Sequence, residues 1–227
     1  MQNAKRTTLK ILGLLALSAV GLQLSAFAQT IADISRQVQA NLDRSPWEAV
    51  ITGKVSLPDG SSQDAEFRLQ VLPGKDQITR VEFRKPASLE GNFVVISNAE
   101  VWNYLFLTNQ LIVQPRARAR IEGIGVNLTD LGDFDQLTER VTLRLNGEVG
   151  TSGGAAWRIQ GTPKDATQGW ASMELLVLKS DPRPVSVMLR DSAGKTVADL
   201  DFSGFKRTNL TARDLRRRPA DAEVVRR

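Results

Sequence analysis

The stretch VEFRKPASLEGNFVVISNAEVWNYLFLTNQLIVQP, residues 81–115, decides the fold. Its apolar runs are rich in β-branched and aromatic residues and are broken at 84–86, 98–100 and 108–110, which predicts short strands joined by turns. Pro86 ends the first strand, because proline cannot donate to a sheet ladder and holds its predecessor extended. Many of these residues are apolar on both faces of their strand. Such a sheet must be covered on each side or must bind something.

Strands continue on both sides of this stretch. Before it, residues 65–71 and 79–83 alternate apolar and polar side chains, as half-buried strands do. This succession predicts a mainly β protein of about 10–11 antiparallel strands in a sandwich or barrel. The later strand-like runs are 141–145, 156–162, 173–178, 185–190 and 197–205.

Two segments have a different pattern. Residues 30–42 carry apolar side chains at helical spacing after a capping threonine, which predicts a helix. Residues 116–135 are rich in arginine and glycine and predict a long loop with helical fragments. Long irregular segments are uncommon in compact domains and are often functional. Two interpretations of this second segment stay open, a lid over the sheet and a plain crossover with a solvated arginine run.

The first residues predict a secretory signal. A basic start precedes an apolar run at 11–24, and Ala26 and Ala28 stand where a signal peptidase reads small residues. A membrane anchor is the alternative, but the run is shorter than the ~20 residues that a spanning helix needs. We therefore expect cleavage after Ala28, with residues 1–28 removed and residues 29–227 forming a single domain in the periplasm.

Composition excludes several kinds of chemistry. The 227 residues contain no cysteine and no histidine, so there is no Ser-His-Asp triad, thiol nucleophile, disulfide or zinc site of the usual type. Ser192 and Lys195 match a serine–lysine hydrolase pattern, but they lie in a stretch with the composition of a hairpin turn. The aspartates at 130, 133 and 135 lack the spacing of a calcium loop. We therefore expect no enzyme activity, no catalytic residue, no cofactor and no metal.

The charge balance argues against a nucleic-acid partner. The formal net charge is +5, and three basic residues but no acidic ones lie within 1–28. Residues 29–227 therefore carry only +2. The high isoelectric point reflects arginine near the C-terminus more than a nucleic-acid surface.

A family resemblance lies in the motifs FRKPASLEG, at 83–91, and FVVISNAEVWNYLF, at 93–106. They resemble the LolA/LolB-type lipoprotein-carrier superfamily, whose members carry a basic-residue–proline strand end and then a Trp-x-Tyr strand, here Trp102 and Tyr104. The ending PADAEVV, at 219–225, is similar to the P-x-x-A-E-V-V tail of that family. With no cysteine after the predicted cleavage site, the chain resembles the soluble carriers more than the lipidated receptors.

The resemblance implies a fold and a function. The fold is a half-open antiparallel β-barrel with an N-terminal helix and a helical or loop lid over an apolar concave face. The function is that of a monomeric periplasmic carrier, which binds the acyl chains of lipoproteins or other lipids and moves them toward the outer membrane. Its partners would be an inner-membrane release complex and an outer-membrane acceptor. The alternative is an envelope-stress sensor or interaction module of the RseB type, with no transport role.

Candidate ligand-lining residues follow from strand alternation. Burying an acyl chain contributes about 0.8 kcal/mol per methylene, so an apolar sheet face could hold one without catalysis. We expect the large apolar side chains of several strands to share one concave surface, partly as core and partly as lining. For each of them ordinary core is the competing interpretation. The candidates are Phe67, Leu69, Val81, Phe83, Trp102, Tyr104, Leu105 and Trp157.

Overall fold

A computed structural model describes residues 30–57, 59–118, 134–165 and 169–227. The predicted secretory segment 1–28 lies outside these residues. So does most of the 116–135 segment, including the aspartates at 130 and 133. Within the described ranges, no helix combines the length and the hydropathy needed to cross a membrane.

The first part of the fold is a helix followed by a meander of strands. Helix α1 (Ile31–Leu42) begins at Thr30, whose hydroxyl accepts from the Asp33 backbone N–H while the Asp33 carboxylate accepts from Thr30, as predicted for a capped start. Each strand then pairs antiparallel with the next one along the chain. The strands are β1 (Trp47–Ser56), β2 (Ser62–Leu72), β3 (Ile78–Lys85), β4 (Phe93–Ser97), β5 (Glu100–Leu105) and β6 (Gln110–Pro115).

The second part repeats this plan. A 3-10 turn (Arg116–Arg118) follows β6, and helix α2 (Phe134–Arg140) leads into a second antiparallel meander. After that meander come helix α3 (Ala212–Leu215) and a last short strand, β12 (Glu223–Arg226). The meander strands are β7 (Val141–Thr151), β8 (Gly154–Pro163), β9 (Ser172–Leu178), β10 (Pro184–Arg190) and β11 (Thr196–Arg207).

The two meanders join into one sheet with the order β12-β6-β5-β4-β3-β2-β1-β11-β10-β9-β8-β7. The joint is the antiparallel pairing of β1 with β11, where the backbones approach closely at Gly53. A Cβ built on Gly53 would lie 1.9 Å from the Asp199 carbonyl oxygen, so only glycine fits there. The sheet is not closed into a barrel, which confirms the predicted half-open β fold.

The strand count and one pairing differ from the sequence prediction. In the described part of the chain the sheet has twelve strands rather than about ten or eleven, and the additional strand is β12. It pairs with β6 in parallel, whereas an all-antiparallel sheet was expected. Strand β12 has only four residues and a charged residue at each end, so its sequence pattern is too weak to predict a strand. Its partner strand β6 lies more than a hundred residues earlier in the chain.

One face of the sheet carries the main core. Buried hydrophobic side chains from α1 and from every strand except β6 and β12 form one cluster, here called the concave core. Helix α1 packs on this face and also contacts the distant edge strand β7, so the sheet curls around the helix. The largest fully buried members are Ile34, Val38, Ile51, Val55, Phe67, Leu69, Ile159 and Leu200.

The opposite face of β3 to β6 carries a second apolar cluster, here called the convex cluster. It is covered by α3 and the residues that follow it, which run back across the sheet to reach β12. Leu215 of α3 is fully buried against it. The buried members are Ile78, Phe93, Val95, Tyr104, Leu111, Val113, Leu215 and Ala222.

A row of charged side chains crosses the same convex face beside this cluster. Glu48 accepts hydrogen bonds from Arg68, from Gln70 at 3.2 Å and from the Lys206 ammonium at 2.9 Å. Burial raises the pKa of Glu48, but the hydrogen bonds from Lys206 and Arg68 outweigh it and hold the pKa below its ordinary value. The concave face is thus filled by apolar side chains, whereas the convex face at β1 and β2 carries paired charges.

Arg80 ends this row and attaches the C-terminal segment to the sheet. Its guanidinium donates to the backbone carbonyls of Leu215 and Arg217 at 3.0 and 2.9 Å, and its Nε donates to Glu82 at 2.7 Å. It also stacks on the Phe93 ring, 3.8 Å from the ring centre. Leu215 is the last residue of α3 and Arg217 lies two residues after it, so this one side chain satisfies carbonyls at and just beyond a helix end, where partners are otherwise missing.

Candidate functional site

Five of the predicted lining residues lie together in the concave core. Phe67 and Leu69 of β2, Val81 and Phe83 of β3, and Trp157 of β8 all belong to that cluster and are buried. The predicted alternation of β2 is correct, since Glu66 and Arg68 are on the other face and form ion pairs there. Whether these side chains line a ligand site or are ordinary core stays a prediction.

The prediction that Trp102 and Tyr104 share this face is wrong. Both pack in or against the convex cluster, where the Tyr104 ring stacks on Phe93 at 4.8 Å between centres. Within β5 it is Val101 that belongs to the concave core. The strand is apolar on both faces because α3 and the chain after it cover its outer side, and nothing in the local pattern indicates that cover. Leu105 shares the alternation of Val101 and is only partly buried.

An open cleft of about 840 Å³ lies between α1, α2 and the edge strand β7. Part of its lining is apolar, because Ile31, Val141 and Leu143 belong to the concave core or pack against it. Ala40 and other small side chains of α1 line the opposite wall. The cleft is therefore open to solvent and borders the apolar core along one side. None of these residues was predicted to be in the site, since their strand and helix lie a hundred residues apart in the sequence.

Polar groups surround the apolar part of this cleft. Arg36 forms an ion pair with Asp33 at 2.9 Å, and the Lys164 ammonium donates to a backbone carbonyl of α2 at 3.1 Å. Gln39 donates to both carboxylate oxygens of Asp43 at 3.0 Å, while its own Oε1 is buried and finds no hydrogen-bond partner among the described residues. An apolar floor with charged and amide groups at the rim suits an amphiphilic ligand.

The wall formed by α1 is attached firmly at one end. The buried Asn41 side chain donates to Asp181 at 2.7 Å and accepts from Arg207 at 3.0 Å. Arg207 also donates to the backbone carbonyls of Leu42 and Ser45, next to the end of α1. Burial lowers the pKa of Arg207 from its ordinary value, with the guanidinium remaining charged at any physiological pH. The C-terminal end of α1 is therefore tied to β11 and to the turn before β10.

The motifs weighed for catalysis do not form a site in the described residues. Ser192 and Lys195 lie in the turn between β10 and β11, as predicted. The Asp191 carboxylate accepts from the backbone N–H groups of Ala193 and Lys195 at 2.9 Å, which is the geometry of a turn. Within the ranges described, no three potential metal-ligating side chains come together.

Comparison with known proteins finds relatives among the solved structures. No family model and no curated protein matches the chain. A conserved, uncharacterized protein from Thermus thermophilus matches with 41% identity and a TM-score of 0.66, covering 86% of this chain and 98% of that one. A LolA superfamily protein from Nitrosomonas europaea matches with 17% identity and a TM-score of 0.45, covering 84% and 99%.

The MucA/MucB complex of Pseudomonas aeruginosa also matches, with 19% identity and a TM-score of 0.52. That match covers 86% of this chain and 62% of the matched chain, and at this identity it shows a shared fold. The predicted LolA-like fold is confirmed. At 41% identity over nearly the whole of both chains, this protein belongs to the same family as the conserved Thermus thermophilus protein.

Proposed function

We propose that the protein is an envelope carrier, which binds the acyl chains of lipoproteins or other lipids and moves them toward the outer membrane. One observation carries the proposal: an open cleft between α1, α2 and β7 borders a large apolar core on the concave face of an open sheet. A carrier needs a binding surface and an entrance, and it needs no catalytic group. The absence of histidine and cysteine fits that role.

The energetics of such binding are adequate. Ten buried methylenes contribute roughly 8 kcal/mol before ordering costs, which corresponds to a dissociation constant near the micromolar range. Ile31, Val141 and Leu143 would contact the chain, and Arg36 or Lys164 at the rim would lie near its polar head. Burial and not charge would drive binding, so affinity should change little with salt.

The proposed location follows from the predicted secretory signal at 1–28. Cleavage after Ala28 would release residues 29–227 into the periplasm as a single domain. The cargo would come from an inner-membrane release complex and pass to an outer-membrane acceptor. N-terminal sequencing of the exported protein tests the first step, and recovery of the intact chain in carbonate-washed membranes would contradict it.

Filling the cleft tests the carrier function. Ala40 is exposed on α1 and lines the cleft, whereas Gln37 is exposed on the same helix and does not line it. The change Ala40→Trp should lower the affinity for a fluorescent fatty acid about tenfold or more, because the indole occupies part of the cleft. The matched change Gln37→Trp should leave the affinity within about twofold. Both should cost the helix a few tenths of a kcal/mol, which thermal melting would show.

The carrier proposal fails if the unaltered protein binds neither a fatty acid nor an acylated peptide. It also fails if both tryptophan variants bind equally well, since the ligand would then lie elsewhere. A second candidate would take its place, a protein-binding module of the envelope. It is favoured by the densely filled concave core and by the shared fold with MucB, which was solved in complex with MucA.

A further inference from the structure

The C-terminal segment carries an unusual density of exposed arginine. Residues 211–227 contain six arginines and three acidic residues, and all six arginine side chains are exposed. They form what is here called the arginine patch. Its members are Arg213, Arg216, Arg217, Arg218, Arg226 and Arg227.

The acidic residues of this segment only partly offset the charge of the patch, since six arginines against three carboxylates leave 6 − 3 = +3 in residues 211–227. Asp214 accepts hydrogen bonds from the backbone and hydroxyl of Thr211, at the start of α3. The carboxylate of Asp221 accepts from Asn109 at 3.2 Å, and that of Glu223 accepts from Gln110 at 3.0 Å. Each acid is therefore engaged by a neutral partner, although Asp214 still lies in the field of its neighbouring arginines.

Only one arginine of the patch forms an ion pair within the described residues. Arg226 donates to Glu100 at 3.1 Å. A hydrogen bond from Trp102 lowers the pKa of Glu100 most, and Arg226 and the field of Arg216 lower it further. Arginines on the sheet itself differ, since Arg68, Arg80 and others pair with glutamates across the strands.

The patch is held on a fixed surface. Arg80 donates hydrogen bonds to the backbone carbonyls of Leu215 and Arg217, and the Leu215 side chain is fully buried. Further along, β12 is hydrogen-bonded to β6. The backbone that carries the arginines is therefore ordered before any partner arrives. Little ordering entropy is then lost on binding, apart from that of the side chains themselves.

We propose that the arginine patch binds a membrane surface that contains anionic phospholipid. Guanidinium groups are charged at every physiological pH and match phosphate oxygens in a two-pronged geometry. The negative surface potential of a membrane attracts each basic side chain that lies next to it, and the contributions of clustered side chains add. No aromatic residue occurs in 211–227, so the patch lacks the stacking groups with which proteins hold single-stranded nucleic acid.

The position of the patch suits a carrier and goes beyond the proposed carrier function. It lies on the convex side with the C-terminal segment, whereas the cleft opens between α1, α2 and β7. The protein could therefore rest on a membrane through the patch while the cleft stays accessible. Membrane contact by the patch would not depend on what the cleft holds.

Vesicle binding tests this inference with the exported protein. Binding to vesicles of phosphatidylglycerol and phosphatidylcholine, measured by sedimentation, is compared with binding to phosphatidylcholine alone. The triple change R216E/R217E/R218E should weaken binding to the anionic vesicles at least ~100-fold, because each arginine near a charged surface contributes separately to binding and the three contributions add. The control K54E/K75E/R144E alters net charge equally at exposed residues elsewhere and should keep most of the binding. Binding should also fall steeply as salt rises.

Three results would overturn the proposal: no preference for anionic vesicles at low salt, equal loss in the two triple variants, or displacement by glycerol phosphate at matched phosphate concentration. The last would indicate a site for a soluble anion. If the glutamate variant melts early, R216Q/R217Q/R218Q replaces it, since glutamine only removes charge. Fatty-acid affinity in the same variants should stay unchanged, which keeps this test separate from that of the cleft.

Discussion

The two faces of the sheet are stabilised by different means. On the concave face, side chains from ten strands and α1 form a single apolar cluster in which Phe67 and Leu69 are fully buried. On the convex face, a smaller apolar cluster lies beside a row of paired charges, and Arg80 holds the C-terminal segment over it. Burial dominates on one side and directed hydrogen bonds on the other.

Because the two faces are stabilised differently, they are suited to different roles. Apolar packing is non-directional and tolerates a ligand that replaces one apolar neighbour by another, which suits the side with the cleft. The hydrogen bonds donated by Arg80 and accepted by Glu48 have fixed geometry and hold a defined surface, which suits the side with the arginine patch. Under the proposed carrier function, the concave face would exchange its ligand while the convex face keeps its shape.

The largest expected effect is on the concave face. The change Phe67→Ala should lower the free energy of unfolding by about 3–5 kcal/mol, since it leaves a cavity at a fully buried position. Urea denaturation measures it. Phe106 is 57% exposed at the turn after β5, so the same substitution there should cost within about 0.5 kcal/mol. Similar costs at the two positions would mean that the concave core is loosely packed.

A smaller effect is expected where Arg80 holds the C-terminal segment. The change Arg80→Met should cost about 2–3 kcal/mol, because the carbonyls of Leu215 and Arg217 lose their donor near a buried surface. Amide exchange should rise in residues 211–227 before it rises elsewhere. The control Arg84→Met removes a side chain that is 48% exposed and should cost under about 0.5 kcal/mol. Unchanged exchange in 211–227 would show that β12 alone holds the segment.

The smallest effect concerns Glu48 and depends on pH. Its pKa is lowered in the folded protein, so its charged form contributes stability that is fully present above about pH 4.3, the unfolded value. That contribution is lost as the pH falls through the folded pKa. Glu48→Gln should cost about 1–2 kcal/mol at pH 7, and the difference from the unaltered protein should shrink below about pH 4.3. A difference that stays constant as the pH falls through the acid range below the unfolded pKa would contradict this role.

Local patterns in the sequence were sufficient to predict most of the strands. In β2, Phe67 and Leu69 alternate with Glu66 and Arg68, and the structure buries the first pair and exposes or pairs the second. The cap of α1 at Thr30 could be predicted as well, because capping depends only on residues within one turn. These features are decided by neighbours in the chain.

The missed features all depend on distant contacts. Tyr104 and Trp102 could be placed only with knowledge of the C-terminal segment, whose Leu215 and Ala222 join the same cluster from more than a hundred residues further on. The cleft combines Ala40 with Leu143 in the same way. A single sequence shows that β5 is apolar on both faces, but it does not show what lies against each face.

The pairing of β1 with β11 has a consequence for how the chain folds. Each meander is built from sequence neighbours, yet Ile51 must find Phe202 before the sheet is continuous. Closing so long a loop costs entropy that local hairpins do not, so we expect the two meanders to form first and to join late. Until they join, β1 and β11 each present a long unpaired edge. In that interval a second copy of the chain can compete for the same edges, and aggregation during refolding should rise with protein concentration.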